Sequence, residues 1–157
     1  RADPGRHLPV KPARRSSQMS SGGFAVERSV GRLIEKMILV AAGGAAGAVC
    51  RYLVSLVPVK ADFPVMTFVT NLAGAFLIGL IVGLAANRWS ESPRLVLFLK
   101  TGFCGGFTTF STFSLETVQL LEKGRLFTGV GYAVVSVVVC LTGVVLGMAT
   151  ASLADHV

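Results

Sequence analysis

In the second half of the chain, residues 102–114 read GFCGGFTTFSTFS, a segment that joins two adjacent glycines to a cluster of threonine and serine. The segment lies within an apolar run, residues 95–121, whose only charges are Lys100 and Glu116. Glycine loosens a helix, and Thr and Ser side chains compete for its backbone hydrogen bonds. The segment therefore predicts a helix that breaks within residues 105–109.

Three more apolar runs accompany this one, at residues 37–57, 64–86 and 126–150. The last two carry no charge, and the first is interrupted only by Arg51. Roughly 20 apolar residues in a helix cross the hydrocarbon layer of a membrane. Because backbone groups cannot stay unpaired in lipid, the four runs predict an all-α integral membrane protein. It would have four transmembrane helices, the third broken mid-membrane, with neighbours made antiparallel by short connectors.

The composition excludes most other classes of protein. Hydrophobic residues make up 52% of the 157 residues and charged residues 15%, against about 25% charged in soluble domains. The two histidines, His7 and His156, stand near the chain ends, so no buried catalytic base is evident. Each cysteine (Cys50, Cys104 and Cys140) lies inside an apolar run without metal-site spacing. We therefore expect structural thiols and a protein that is not an enzyme.

The positive charge is concentrated at the N-terminus. Residues 1–36 hold eight Lys/Arg and three Asp/Glu, a net charge of +5, whereas residues 37–157 hold seven and five, a net charge of +2. We predict a basic, disordered leader at residues 1–36, a four-helix transmembrane domain at residues 37–151 and a short tail at residues 152–157. Such a leader contacts anionic lipid or sets orientation rather than binding nucleic acid. Met37, where the apolar sequence begins, is a candidate start of the biological chain.

The loop charges bear on membrane orientation. Arg88 and Arg94 fall on one side of the predicted membrane, and Lys60, Lys123 and Arg125 on the other. This distribution has no clear positive-inside bias, so it permits insertion both ways and an antiparallel dimer. The leader carries five Lys and Arg residues between Arg14 and Lys36, close to the first apolar run, and these favour one orientation instead. Both interpretations remain open, as does pairing with a homologous chain.

Glycines recur at four-residue spacing in three of the predicted helices, which lets helix backbones approach closely. This spacing indicates either a tight oligomer interface or packing within one chain. The pairs are Gly43 with Gly47, Gly79 with Gly83, and Gly143 with Gly147.

Polar side chains on three predicted helices suggest a narrow track for an anion. They offer amide and hydroxyl donors, and the electropositive edges of aromatic rings. The alternative is that they only join helices to one another. The residues are Thr67 and Asn71 on the second helix, Phe110, Ser111, Thr112, Phe113 and Ser114 on the third, and Tyr132, Ser136 and Cys140 on the fourth.

Three segments resemble the Fluc (CrcB) family of fluoride channels. They are residues 43–48 (GGAAGA) followed by Arg51 and Tyr52, residues 70–76 (TNLAGAF), and residues 102–114. The resemblance extends over residues 37–151. It implies a multi-pass protein of the plasma membrane that forms an antiparallel, dual-topology homodimer with two narrow pores. The implied function is passive efflux of F⁻, which protects the cell against fluoride toxicity.

The resemblance also implies roles for individual residues. Arg51 and Glu116 would lie at the vestibule, and the backbone carbonyls of Gly105 and Thr108 from both subunits would hold a central Na⁺. Cys140 stands where the family often has a hydroxyl. The side chains that would line the fluoride pore are Asn71, Phe110, Ser111, Thr112, Phe113, Tyr132 and Ser136.

Two other functions compete with a fluoride channel. A small multidrug-type proton-coupled antiporter is also a dimer of four-helix chains, but coupling needs a membrane carboxylate, and Glu116 is the only acid within a predicted span. A non-transporting membrane assembly subunit would use its polar residues for packing alone.

Overall fold

The structure is a computed structural model that describes residues 16–87 and 92–154, with side chains over residues 26–86 and 92–154. Within those residues the chain is helical and contains no strand, which confirms the predicted all-α class. It divides into two compact units, Arg1–Glu35 and Lys36–Val157. The helical elements are α1 (Ser16–Ser55), α2 (Val65–Asn87), α3 (Pro93–Val96), a π-helix (Leu97–Cys104), α4 (Gly105–Phe107), α5 (Phe110–Glu122) and α6 (Leu126–Ala154).

Three helices in the described part of the chain are long and apolar enough to cross a membrane. They are Val26–Ser55, Val65–Ala86 and Leu126–Ala154, which contain most or all of the first, second and fourth apolar runs. The third run is divided among short helical pieces, of which α5 is the longest at 13 residues. A crossing by this run therefore needs several pieces in series.

Part of the predicted leader has a regular structure. Residues 1–15 lie outside the described residues, and α1 begins at Ser16, within the predicted leader. Apolar residues recur at intervals of three or four from Val26 to Met37, and no proline interrupts this stretch. At the other end, α6 takes in the first three residues of the predicted tail.

Glycines bring α2 and α6 into close contact in the second unit. Gly79 of α2 lies against the backbone of Val144, and Gly147 of α6 lies against the carbonyl of Phe76. A Cβ atom at either glycine would overlap a backbone oxygen of the facing helix. The four-residue spacing thus serves packing between helices of one chain at this contact.

The remaining glycine pair joins α1 to the divided third run. Gly43 faces the carbonyl of Phe98, and Gly47 faces the carbonyl of Phe103. Gly106 of α4 in turn lies against the backbone of Gly44. All three glycine pairs therefore contact neighbours within this chain, the second of the two interpretations that their spacing allowed.

A tight turn reverses the chain between α5 and α6. The N–H of Arg125 donates to the carbonyl of Leu120 (3.0 Å), and the N–H of Gly124 donates to that of Leu121 (2.9 Å). This pair of bonds is the Schellman ending of a helix, which requires a left-handed residue. Gly124 supplies it with φ +72°. Beyond the turn, Arg125 pairs with Asp62 of the α1–α2 connection.

The α2–α6 contact predicts that Gly147→Ala destabilises the protein by about 1–3 kcal/mol, the usual cost of overpacking. The substitution places a methyl group against the Phe76 carbonyl, and neither backbone can give way cheaply. The free energy of unfolding in mixed detergent micelles measures the effect. Gly131→Ala on the same helix is the matched control, because its new methyl group would have no neighbouring atom within 4 Å. The control should be neutral or slightly stabilising, and equal losses in both variants would contradict the close contact.

Candidate functional site

The third run is interrupted at two threonines. Helix α4 ends at Phe107, Thr108 and Thr109 have extended backbones (φ −79°, ψ 158° and φ −148°, ψ 110°), and α5 begins at Phe110. The Thr109 hydroxyl oxygen caps α5 by accepting from the N–H of Thr112 at 3.1 Å. The interruption therefore ends one helix and starts another within two residues.

Asn71 of α2 holds the interruption from the side. Its Oδ1 accepts from the backbone N–H of Thr109 at 2.8 Å, and its Nδ2 donates to the Thr109 carbonyl at 3.1 Å. The Asn71 side-chain amide thus hydrogen-bonds to both the N–H and the carbonyl of Thr109, as the backbone of a neighbouring β-strand would. Because unpaired backbone groups are costly away from water, this pair stabilises the break.

The same contacts redirect two N–H groups away from their helical acceptors. In a continuous helix the N–H of Thr109 would donate to the Gly105 carbonyl, and that of Thr112 would donate to the Thr108 carbonyl. Here they donate to Asn71 and to the Thr109 hydroxyl instead. The carbonyls of Gly105 and Thr108 are therefore relieved of these helical bonds and can accept other donors or a cation.

Arg51 of α1 lies at the C-terminal end of α4. Its Nε donates to the Gly106 carbonyl at 3.3 Å, where the last carbonyls of a helix carry partial negative charge. It lines a small pocket of about 50 Å³ that is otherwise mostly threonine and serine hydroxyls. The other residues of this pocket are Ser55, Met66, Thr67, Thr70, Thr109 and Thr112.

A larger groove, of about 330 Å³, is lined by several of the other predicted site residues. The Phe110 and Phe113 rings in it have centroids 5.5 Å apart and planes inclined by 43°. Ser136 is 5% exposed, and its hydroxyl oxygen has no hydrogen-bond partner in the described structure. The groove is lined by Asn71, Gly74, Ala75, Ile78, Cys104, Gly105, Thr108, Phe110, Phe113, Ser136, Val137, Cys140 and Val144. We name it the main groove.

The carboxylate of Glu116 joins two other helices next to the main groove. Its Oε1 accepts from the Thr67 hydroxyl at 2.8 Å, and its Oε2 accepts from the Tyr132 hydroxyl at 2.9 Å. The Tyr132 ring is 1% exposed and packs on Phe113 and Phe63 at centroid distances of 5.2 and 5.1 Å. Phe63 was not anticipated, because a single aromatic residue in a connecting loop gives no periodic signal.

The structure collects most of the predicted site residues but separates some of them. Six lie together in the main groove: Asn71, Gly105, Thr108, Phe110, Phe113 and Ser136. Tyr132 adjoins it through the Phe113 ring, and Glu116 through Tyr132. Thr112 lies instead in the small pocket with Arg51. Ser111 is exposed and lines neither the main groove nor the small pocket, because it comes one residue after Phe110 and so lies on a different face of α5.

The Asn71 contacts predict that Asn71→Leu destabilises the protein. It leaves the N–H and the carbonyl of Thr109 without their partner, at about 1–3 kcal/mol for each buried group. Asn71→Asp retains the acceptor for the Thr109 N–H but places a second oxygen against the Thr109 carbonyl, so it should also lose stability. Unfolding free energies in detergent measure both variants. Thr142→Val is the control, because that exposed hydroxyl bonds only its own helix, to Val138. Wild-type stability in Asn71→Leu would refute the role of the amide in the break.

Comparison with known proteins supports the resemblance. Residues 38–148 match the family model described as CrcB-like protein, Camphor Resistance (CrcB). The fluoride-specific ion channel FluC of Ruminiclostridium cellulolyticum is 47% identical over 114 residues, 71% of this chain and 88% of that protein. The protein of the same name in Agrobacterium fabrum is also 47% identical over 114 residues, which cover 71% of this chain and 91% of that protein.

A third relative of the same name, from Azobacteroides pseudotrichonymphae, is 44% identical over 119 residues, 73% of this chain and 94% of the relative. The matched region contains every residue of the main groove. The resemblance read from residues 43–48, 70–76 and 102–114 is therefore confirmed, and the chain belongs to the CrcB family.

Proposed function

We propose that this protein is a fluoride-selective channel of the cell membrane, which lets F⁻ leave the cell passively and so protects it against fluoride toxicity. Its relatives are named fluoride-specific ion channels, which also agrees with a protein that is not an enzyme. The observation that carries the proposal is the main groove, where Asn71, the Phe110–Phe113 pair and the unpartnered Ser136 hydroxyl lie together.

The groove offers what a small, strongly hydrated anion needs. Dehydration of F⁻ is costly and must be offset by several close donors. One hydrogen of the Asn71 amide is bound to Thr109, which leaves the second available. Ring edges of Phe110 and Phe113 add weak positive potential, and Ser136 adds a hydroxyl. No Lys or Arg lines the groove among the described residues, so no fixed cation traps the ion there.

The third run, in its pieces from α3 to α5, forms a fourth membrane crossing in this proposal. Its neighbours α2 and α6 are long enough to span, and α5 contacts α6 across the short Schellman turn. The interruption at Thr108 and Thr109 would then lie inside the membrane. Irregular backbone at that depth must be covered by protein or line a polar cavity.

A second copy of the chain supplies that cover. Phe110 is 77% exposed and Gly105 is exposed in the single chain, although both belong to the main groove. An antiparallel, dual-topology homodimer would bury them and provide two pores. The loops carry Lys60, Lys123 and Arg125 on one side and Arg88 and Arg94 on the other, and this weak charge bias supports insertion in both directions.

The redirected carbonyls fit a structural Na⁺ at the centre of that dimer. Gly105 and Thr108 contribute two oxygens per chain, and hard cations prefer oxygen ligands. The described residues contain no cluster of three His, Cys, Asp or Glu that offers another cation site. When bound, the ion would add positive potential near the fluoride path. The chain's own part is to hold the two carbonyls in place, through Asn71 and the Thr109 cap.

Fluoride efflux from proteoliposomes, followed with a fluoride electrode under a membrane voltage, tests the proposed function. Rapid loss of F⁻ with retention of Cl⁻ supports the channel. Strict dependence on a proton gradient would instead indicate the coupled antiporter, and no flux would indicate the non-transporting assembly subunit. Either of these two results would overturn the proposal.

Phe110→Ile is expected to lower fluoride flux by at least about tenfold, because loss of a ring edge worth about 1.4 kcal/mol to the ion in transit changes a rate by that factor. The dimer should persist on size-exclusion chromatography. Phe127→Ile is the matched control: its ring is 93% exposed and lies outside the main groove, so flux should not change. Equal flux through both variants would contradict a role for Phe110 in the ion path.

Removal of Na⁺ is expected to weaken the dimer, since the carbonyls of Gly105 and Thr108 would then face each other without a cation between them. The dimer should dissociate at lower detergent or denaturant concentration in N-methylglucamine buffer than in sodium buffer. Overnight dialysis alone should have little effect, because enclosed ions exchange slowly. The same dissociation midpoint after exhaustive Na⁺ removal, verified by elemental analysis, would rule the site out.

A further inference from the structure

A row of aromatic rings connects the α1–α2 connection to the main groove. Phe63 of that connection packs edge-on against Phe68 and against Tyr132, with centroids 5.4 and 5.1 Å apart and planes inclined by 69° and 86°. The Tyr132 ring in turn packs on Phe113 at 5.2 Å, and Phe113 packs on Phe110 at 5.5 Å. Phe63 is therefore linked to the aromatic pair of the main groove through Tyr132.

The residues on either side of Phe63 hold it in place. Asp62 pairs with Arg125 of the Schellman turn. Pro64 keeps the backbone of the residue before it out of the helical region, and the Phe63 carbonyl accepts from the N–H of Val65 at 2.8 Å. The Asp62 and Arg125 side chains are 75% and 43% exposed, so their ion pair is weak. The ring contacts of Phe63 are therefore the stronger part of this anchorage.

Tyr132 transmits the position of Phe63 to Phe113. Its hydroxyl donates to Glu116 at 2.9 Å, and the residue is 1% exposed. A ring held at its hydroxyl and packed against both phenylalanines has little room to move. Loss of the Phe63 ring would leave a cavity beside Tyr132, into which Tyr132 can tilt about its hydroxyl contact and draw away from Phe113.

We propose that Phe63, anchored by the Asp62–Arg125 ion pair, is a positioning residue for the ion path. It holds Tyr132 against Phe113 and so fixes the Phe113 ring in the main groove; this rests on the proposed fluoride function. A ring attracts an anion at its edge and repels it at its face, so a tilted or mobile ring stabilises F⁻ less. Phe63 does not line the main groove and acts only through these contacts.

Fluoride efflux from proteoliposomes gives the first test. Phe63→Leu, which keeps most of the apolar volume but removes the ring, should lower fluoride flux about three- to tenfold, the factor that one aromatic contact is worth. Phe63→Tyr keeps the ring and should conduct within about twofold of wild type. Phe127→Leu removes a ring that is 93% exposed and should match wild type. Gel filtration before reconstitution verifies that each variant remains folded.

The ion pair is tested by two variants of equal charge. Arg125→Gln breaks the pair with Asp62, whereas Lys123→Gln removes the same charge two residues away and retains the pair. Arg125→Gln should lower fluoride flux by about twofold, because exposed ion pairs contribute little. Lys123→Gln should match wild type. An equal loss in both variants would assign the effect to attraction of the anion by local charge and would overturn the anchoring role.

A fluorine label at position 113 tests the positioning directly and without any ion flux. With 4-fluorophenylalanine placed there, the ¹⁹F resonance of the protein in detergent micelles reports the surroundings of that ring. Phe63→Leu should move this resonance by more than its linewidth or broaden it. Phe63→Tyr and Phe127→Leu should leave it in place, although Phe127→Leu also removes a ring.

The two measurements separate this inference from the proposed function. Wild-type fluoride flux in Phe63→Leu, or an unmoved resonance at position 113 in that variant, overturns the positioning role of Phe63 while the channel function stands. Equal losses of flux in Phe63→Leu and Phe63→Tyr also overturn it, since one of these variants retains the ring. Absence of fluoride flux in wild type overturns the channel function and this inference with it.

Discussion

Two hydrogen bonds between the Asn71 amide and the backbone of Thr109 make the arrangement of the site possible. An interrupted helix in an apolar protein exposes backbone groups that lipid cannot satisfy. One side chain on α2 satisfies both groups of the central extended residue, and the Thr109 hydroxyl then starts the next helix. The position of the Phe110 and Phe113 rings follows from where α5 begins, so the aromatic pair depends on a contact made on another helix.

Close glycine packing is the second requirement, because it fixes α2 relative to α6. Gly79 and Gly147 allow the backbones of these helices to touch, and Asn71 of α2 and Ser136 of α6 both line one groove. Larger residues at these positions would separate the walls. The glycines therefore determine the width of the groove, and the polar residues determine what it can bind.

The sequence allowed the helical class and the three long spans to be predicted, because each depends on local composition. The run at residues 102–114 also carried the family resemblance. The sequence did not reveal that Asn71 pairs with Thr109, because that contact joins residues 38 positions apart. The π-helical stretch Leu97–Cys104 and the contact of Phe63 with Tyr132 were not anticipated either. The helix over residues 16–36 was not anticipated, because polar composition masked a helical period.

Arg51 and Glu116 both have hydrogen-bond partners of their own, and neither lines the main groove. Arg51 donates to the Gly106 carbonyl, and both oxygens of Glu116 accept from hydroxyls, of Thr67 and Tyr132. A free guanidinium would bind a small anion too tightly to release it, and a free carboxylate would repel it. Because neither Arg51 nor Glu116 lines the main groove, the groove presents an amide, ring edges, a hydroxyl and a thiol. Under the proposed function, an ion that moves between such weak donors would meet no deep minimum along its path, which is the condition for passage rather than storage.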